Sequence, residues 1–92
     1  MDTIRLPTDL GAALKAQRQQ QGLTAVDVAA RAGRSRDILY RLERGEDVTV
    51  SALLDILRAL GLSLALQSAG LPTLDEMQRR FGAEAQGDDD AA

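Results

Sequence analysis

Residues 23–45 read LTAVDVAARAGRSRDILYRLERG, and the spacing of caps and glycines within them decides the fold. Thr24 stands where a helix N-cap is expected. Asp27, three residues on, can return a bond to the cap's own backbone. Gly33 supplies the left-handed residue that ends this first segment, 25–32. Ser35 caps a second segment almost at once, over about residues 36–44, and Gly45 stops it. Only Gly33, Arg34 and Ser35 separate the two.

Two short helices joined this tightly form a helix-turn-helix, whose second helix can lie in the major groove of DNA. Advancing about 100° per residue from Arg36 places Arg36, Asp37, Tyr40, Arg41 and Arg44 on one arc of about 140°. Ile38, Leu39 and Leu42 fall on the other side, so the second helix has a basic front and an apolar back. The planar fork of arginine can grip O6 and N7 of guanine together, which singles out Arg36 and Arg41 as base readers. Tyr40 suits a thymine methyl or a phosphate, or equally a lid packed on the surface. Arg34, Ser35 and Arg44 are candidate phosphate contacts, which position a protein on DNA without specifying sequence. Arg44, close to a helix C-terminus, is also favoured there by the helix dipole alone. Arg31 reads as solvated surface.

Outward from this core the same logic continues. Thr8 reads as the cap of a helix over about 9–21 that Gly22 stops, burying Leu10, Ala13 and Leu14. A helix over about 50–60, stopped by Gly61, turns Leu53, Leu54, Ile56, Leu57 and Leu60 inward. Met1–Leu6 alternates loosely and is expected as a short strand ended by Pro7. After Gly61, Leu62, Leu64 and Leu66 alternate with Ser63, Ala65 and Gln67, the period of a half-buried strand. A lone strand is not stable, so its partner is the N-terminal strand, the same strand of a second subunit, or both. Thr73-Leu-Asp-Glu76 is a capping box with Leu74, Met77 and Phe81 on one face. Beyond Gly82 the chain is Ala-, Gly- and Asp-rich and is expected to be disordered. The organisation is therefore a helix-turn-helix domain over 8–61, a dimerisation strand over 62–67, and a short helix with an acidic tail over 71–92.

Composition bounds the function. The 92 residues contain no Cys and no His, which removes disulfides, the usual zinc sites and a histidine base. No nucleophile–base constellation and no phosphate-cradling glycine loop is present, so the chain does not read as an enzyme, and no cofactor or metal is expected. No apolar run reaches membrane-spanning length and no leader pattern opens the chain, so a cytoplasmic, nucleoid-associated protein is expected. The net charge of −3 is unevenly spread: residues 31–44 hold five arginines against two acids, whereas residues 71–92 carry a net −4. Charges further than ~8–10 Å are largely screened, so the local basic face governs attraction to phosphate.

The positions Ala29, Gly33, Leu39, Glu43 and Gly45, with Gly22-Leu23-Thr24 before and Leu42-Glu43-Arg44-Gly45 closing, resemble the Cro/repressor-type helix-turn-helix of the XRE family. The resemblance spans Leu10 to Leu60. It implies an all-α, lambda-repressor-like domain of four to five helices that binds double-stranded DNA through its second motif helix. It also implies a base-facing position for Asp37, which can accept from cytosine N4 or orient Arg41, and an Arg18–Glu43 pair between the first and third helices. Relatives carry Gln where this chain has Ala25, so phosphate contact there passes to the Thr24 hydroxyl or nearby backbone amides. The segment 46–51 resembles one that meets the DNA backbone, yet Glu46 and Asp47 would repel it. A strand placed directly after the domain is similar to the HipB-like antitoxins, where such strands pair across a homodimer; Leu62, Leu64 and Leu66 are then the interface. Two functions follow. One is a transcriptional regulator, most simply a repressor, acting on a palindromic operator. The other is an antitoxin that neutralises a toxin protein and autoregulates its operon.

Overall fold

Helix starts and stops follow the side chains that satisfy free backbone ends. In the computed structural model, which describes residues 3–70 together with Leu74 and Gln78, four helices form. They are α1 (Pro7–Gln20), α2 (Ala25–Ala32), α3 (Arg36–Glu43) and α4 (Val50–Ala59); the described residues contain no strand. Three helices begin at hydroxyl caps. The backbone N–H groups of Asp27, Ile38 and Ala52 donate to Thr24, Ser35 and Thr49 at 3.1, 3.2 and 3.1 Å. Thr24 N–H in turn donates to the Asp27 carboxylate at 3.0 Å, completing the capping box read from sequence. At the other end of α2, Gly33 adopts φ +69°, and the Arg34 N–H reaches back to the Ala29 carbonyl at 3.0 Å. A side chain at that φ would be strained, so glycine makes the sharp turn inexpensive.

The apolar stripes meet in one core. Leu14 of α1, Val28 of α2, Leu39 and Leu42 of α3, and Ile56, Leu57 and Leu60 from the α4 end are all buried. Helix α3 packs on α1, α2 and α4, and α2 packs on α4, so the motif helices are wedged between the other two. Val28, Leu39 and Ile56 are sealed from solvent, each stabilising the fold by about 1.5–3 kcal/mol relative to exposure.

Two glycines set how closely α1 approaches the end of α3. A Cβ at Gly11 would sit 2.5 Å from the carbonyl oxygens of both Leu42 and Glu43. Gly45, at φ +82°, lies against Thr8, where a Cβ would meet Thr8 Cγ2 at 2.8 Å. The backbone of α1 therefore rests directly on the C-terminal turn of α3. On the far side, the Gln21 side-chain amide donates to the Leu60 carbonyl at 2.9 Å and ties α1 to the end of α4.

Two N-terminal expectations are corrected. Residues 3–6 are not a strand, and Pro7 opens α1 rather than ending a strand. Proline costs nothing at a first helical position, where its missing N–H would have no partner. Thr8 consequently lies inside the first turn instead of capping it, and the Asp9 carboxylate accepts from the Leu6 N–H at 3.3 Å. The strand expected over 62–67 is without regular secondary structure in the single chain. Leu62 is half-buried against the core, while Leu64 is 56% and Leu66 93% exposed. The expected helix and tail over 71–92 lie outside the described residues, except that Leu74 and Gln78 are helical.

Candidate nucleic-acid interface

The amphipathic pattern of α3 is reproduced in space. Leu39 and Leu42 face inward, and Arg36, Asp37, Tyr40 and Arg44 are exposed on one side, with Arg41 partly exposed beside them. Ser35, the cap, stands at the start of this face; its oxygen accepts from Ile38 N–H, leaving the hydroxyl proton free to donate outward. The Thr24 hydroxyl likewise accepts from the Asp27 N–H at the start of α2, and the Thr24 N–H and hydroxyl together hold the Asp27 carboxyl below its ordinary range. Ala25, the position at which the chain departs from the family pattern it resembles, is buried and belongs to the core.

The arginines differ in what holds them. Arg36 is exposed and makes no ion pair among the described residues. Arg41 turns toward the loop after α3, donating from Nη2 to the Asp47 carbonyl at 3.0 Å, with Nε 3.7 Å from Glu46 Oε1. It does not pair with Asp37, as the i, i+4 spacing allowed, because the loop carbonyl and the Glu46 carboxylate lie within its reach. Arg44 donates from Nε to Glu46 Oε2 at 2.6 Å. Glu46 thus bridges two arginines of the basic face. The Arg44 hydrogen bond, helped by the charges of Arg44 and Arg41, lowers its carboxyl below the usual range, and the same bond raises the Arg44 guanidinium.

Arg34 is oriented by tertiary structure. Its Nε and Nη2 both lie 2.9 Å from Asp55 Oδ2 of α4, and Asp55 also pairs with Arg58. These bonds, that from Arg34 foremost, lower the Asp55 carboxyl. Behind the face, Arg18 grips Glu43 with two bonds of 2.7 and 3.1 Å and also donates to the Leu23 carbonyl at 3.4 Å. The two side chains are 12% and 5% exposed, and Glu43 raises the Arg18 guanidinium. This pair locks α1 to the last turn of α3, as the resemblance implied. Sequence reasoning missed three participants: Glu46 as a partner of the face, Asp55 as the anchor of Arg34, and Gly11 as the contact point under α3. An unbroken helical pattern containing a glycine was the one signal available for Gly11.

The helix-turn-helix domain family matches residues 9–69. Among solved structures, the chain is similar to HipB in a "HipB-O4 20mer complex", at 31% identity over 76% of this chain and 100% of that one, with a TM-score of 0.71. It is likewise similar to the restriction-modification controller protein C.AhdI from Aeromonas hydrophila, at 26% identity over 62% of this chain and 88% of that one, TM-score 0.58. The clp gene regulator ClgR from C. glutamicum is 35% identical over 66% of this chain and 80% of its own, TM-score 0.57. No curated protein sequence is significantly similar.

The chain belongs to the helix-turn-helix domain family, as a DNA-binding protein of XRE type. Within that class it is HipB-like. Among the described residues no helix is long and apolar enough to cross a membrane.

Proposed function

We propose that the protein is a transcriptional repressor that binds a palindromic operator as a homodimer, with α3 in the major groove. The observation that carries this reading is the exposed front of α3, presented by a helix whose other side is sealed into the core. Arg36 and Arg41 read base edges, Asp37 faces a cytosine, and Tyr40 contacts a thymine methyl or the adjacent phosphate. Thr24, Ser35 and Arg44 contact phosphates, and Arg34 adds its charge from its fixed place beside Asp55. A lone recognition helix covers too little surface for strong discrimination, so two copies read half-sites ~34–36 Å apart. The bare Leu64 and Leu66 supply the apolar surface for pairing, with Leu62 at its edge. Repression follows when such a dimer occupies promoter DNA; the reaction classes of enzymes have no part in it.

Selection of bound DNA from a random pool, at stated salt, tests the reading. An inverted repeat with half-sites one helical turn apart is the expected product. Recovery of no consensus by a folded protein would overturn it.

A second reading is favoured by one observation: a "HipA-HipB-O2-O3 complex" is among the similar structures, at 30% identity over 76% of this chain. In that reading the chain is also an antitoxin, and residues 71–92 contact a toxin protein. Removing 71–92 then abolishes partner capture while operator binding persists.

A further inference from the structure

We propose that Glu46 is a built-in competitor of DNA phosphate, which holds two arginines of the α3 face in check and so restrains non-specific binding. The proposal rests on the DNA-binding reading above and adds to it a residue that sets how strongly the face responds to phosphate charge.

The geometry is that of a phosphate contact made internally. One Glu46 oxygen accepts from Arg44 Nε at 2.6 Å and the other stands 3.7 Å from Arg41 Nε. A carboxylate presents two oxygens to a guanidinium much as a phosphate does. The Glu46 side chain is 48% exposed and sits on a loop, so it can swing away without disturbing the core. Exposed ion pairs of this kind add little to stability, which leaves competition for the arginines as the main physical consequence of the contact. Neighbouring groups sharpen the point. Asp47 follows directly, but Arg41 uses its backbone carbonyl, and its carboxylate has no ion pair among the described residues. Asp37 is the other acid near Arg44, reaching it through charge alone. Arg36 stands outside this network. The face is therefore split: Arg36 makes no ion pair among the described residues, while Arg41 and Arg44 must exchange a carboxylate for DNA. Any duplex can make that exchange with phosphate, but each such contact is weakened by the carboxylate contact it gives up.

The test uses the full chain and a random-sequence 20-bp duplex, with affinity measured across a salt series. Glu46→Gln is compared with Asp47→Asn, which removes the same charge one residue away and leaves the arginine contacts in place. Glu46→Gln should bind the random duplex about threefold or more tighter at ~0.1 M salt, with the slope of log K against log[salt] steeper by about one. Asp47→Asn should show less than half that gain. In an Arg44→Gln background the gain from Glu46→Gln should shrink. Equal gains for the two neutralised variants would reduce Glu46 to one charge among several and overturn the proposal, as would no gain at all in a wild type that binds duplex salt-dependently. A wild-type chain that binds no duplex at any salt would instead overturn the DNA-binding reading itself. Unfolding curves of both variants, expected to overlay that of the wild type, confirm that folded protein is compared.

Discussion

At the residue scale, the free and the tethered arginines should behave differently. Arg36 has no ion pair to release among the described residues, so Arg36→Ala should cost ~1–3 kcal/mol of specific binding and loosen preference at one base position. A binding-site selection with the variant reads both, and unchanged preference would remove Arg36 from base reading. The Arg18–Glu43 pair makes a second prediction. It is nearly enclosed, so removing one partner leaves a charge poorly solvated. Arg18→Met alone should destabilise the fold by about 3–5 kcal/mol, whereas Arg18→Met with Glu43→Leu should recover much of that loss in urea unfolding. Recovery would assign the pair to fixing the α1–α3 register more than to net stability.

At the scale of the element, the contact of α1 with the end of α3 is the sensitive point. Gly11→Ala must push the Leu42 and Glu43 carbonyls aside. The methyl should cost about 1–3 kcal/mol, more than offsetting the better helix propensity of alanine. Because the displaced backbone belongs to α3, affinity for an operator should fall as well, and a thermal melt with a binding titration separates the two losses. The helices themselves were legible in the sequence, since caps, glycines and the 3.6-residue period are local signals that agree. Helix α2 is bounded as read, while α1 starts earlier than the Thr8 cap suggested, because proline at a first helical turn resembles a breaker. The basic front of α3 was legible for the same reason. What the arginines hold was not: Arg34 meets Asp55 across 21 positions, and Arg41 meets a carbonyl of a loop whose path depends on packing. The 62–67 alternation has the period of a strand, but pairing depends on a partner edge, and the described residues contain no strand to provide one.

For the whole molecule, charge and exposed apolar surface make the predictions. Asp27 and Asp55 both have carboxyls held below their ordinary values by donors in the folded state. A depressed folded pKa adds stability above the unfolded pKa and loses it as pH falls through the folded one. Stability should therefore be level through neutrality and decline below about pH 4, read by denaturant unfolding at stepped pH. With no histidine in the chain, no side chain of ordinary pKa titrates between about pH 5 and 8, so operator binding should be flat across that range. Association is the second whole-molecule property. Leu64 and Leu66 are exposed on one short segment. Leu64→Asp with Leu66→Asp should shift sedimentation from dimer to monomer at micromolar concentration while leaving the helical circular dichroism intact. An unshifted dimer would place the interface elsewhere.

The seat of α1 beneath α3 also bears on how new regulators arise. The groups that aim the reading helix, Gly11, Gly45 and the Arg18–Glu43 clamp, all lie behind it, and positions 36, 37 and 40 are outside that machinery. If α3 reads DNA as proposed, those outward positions form an exchangeable cassette. A duplicated gene could drift to a different promoter through a handful of codons while its scaffold stays untouched, and a designer could build mutually orthogonal switches on the same frame.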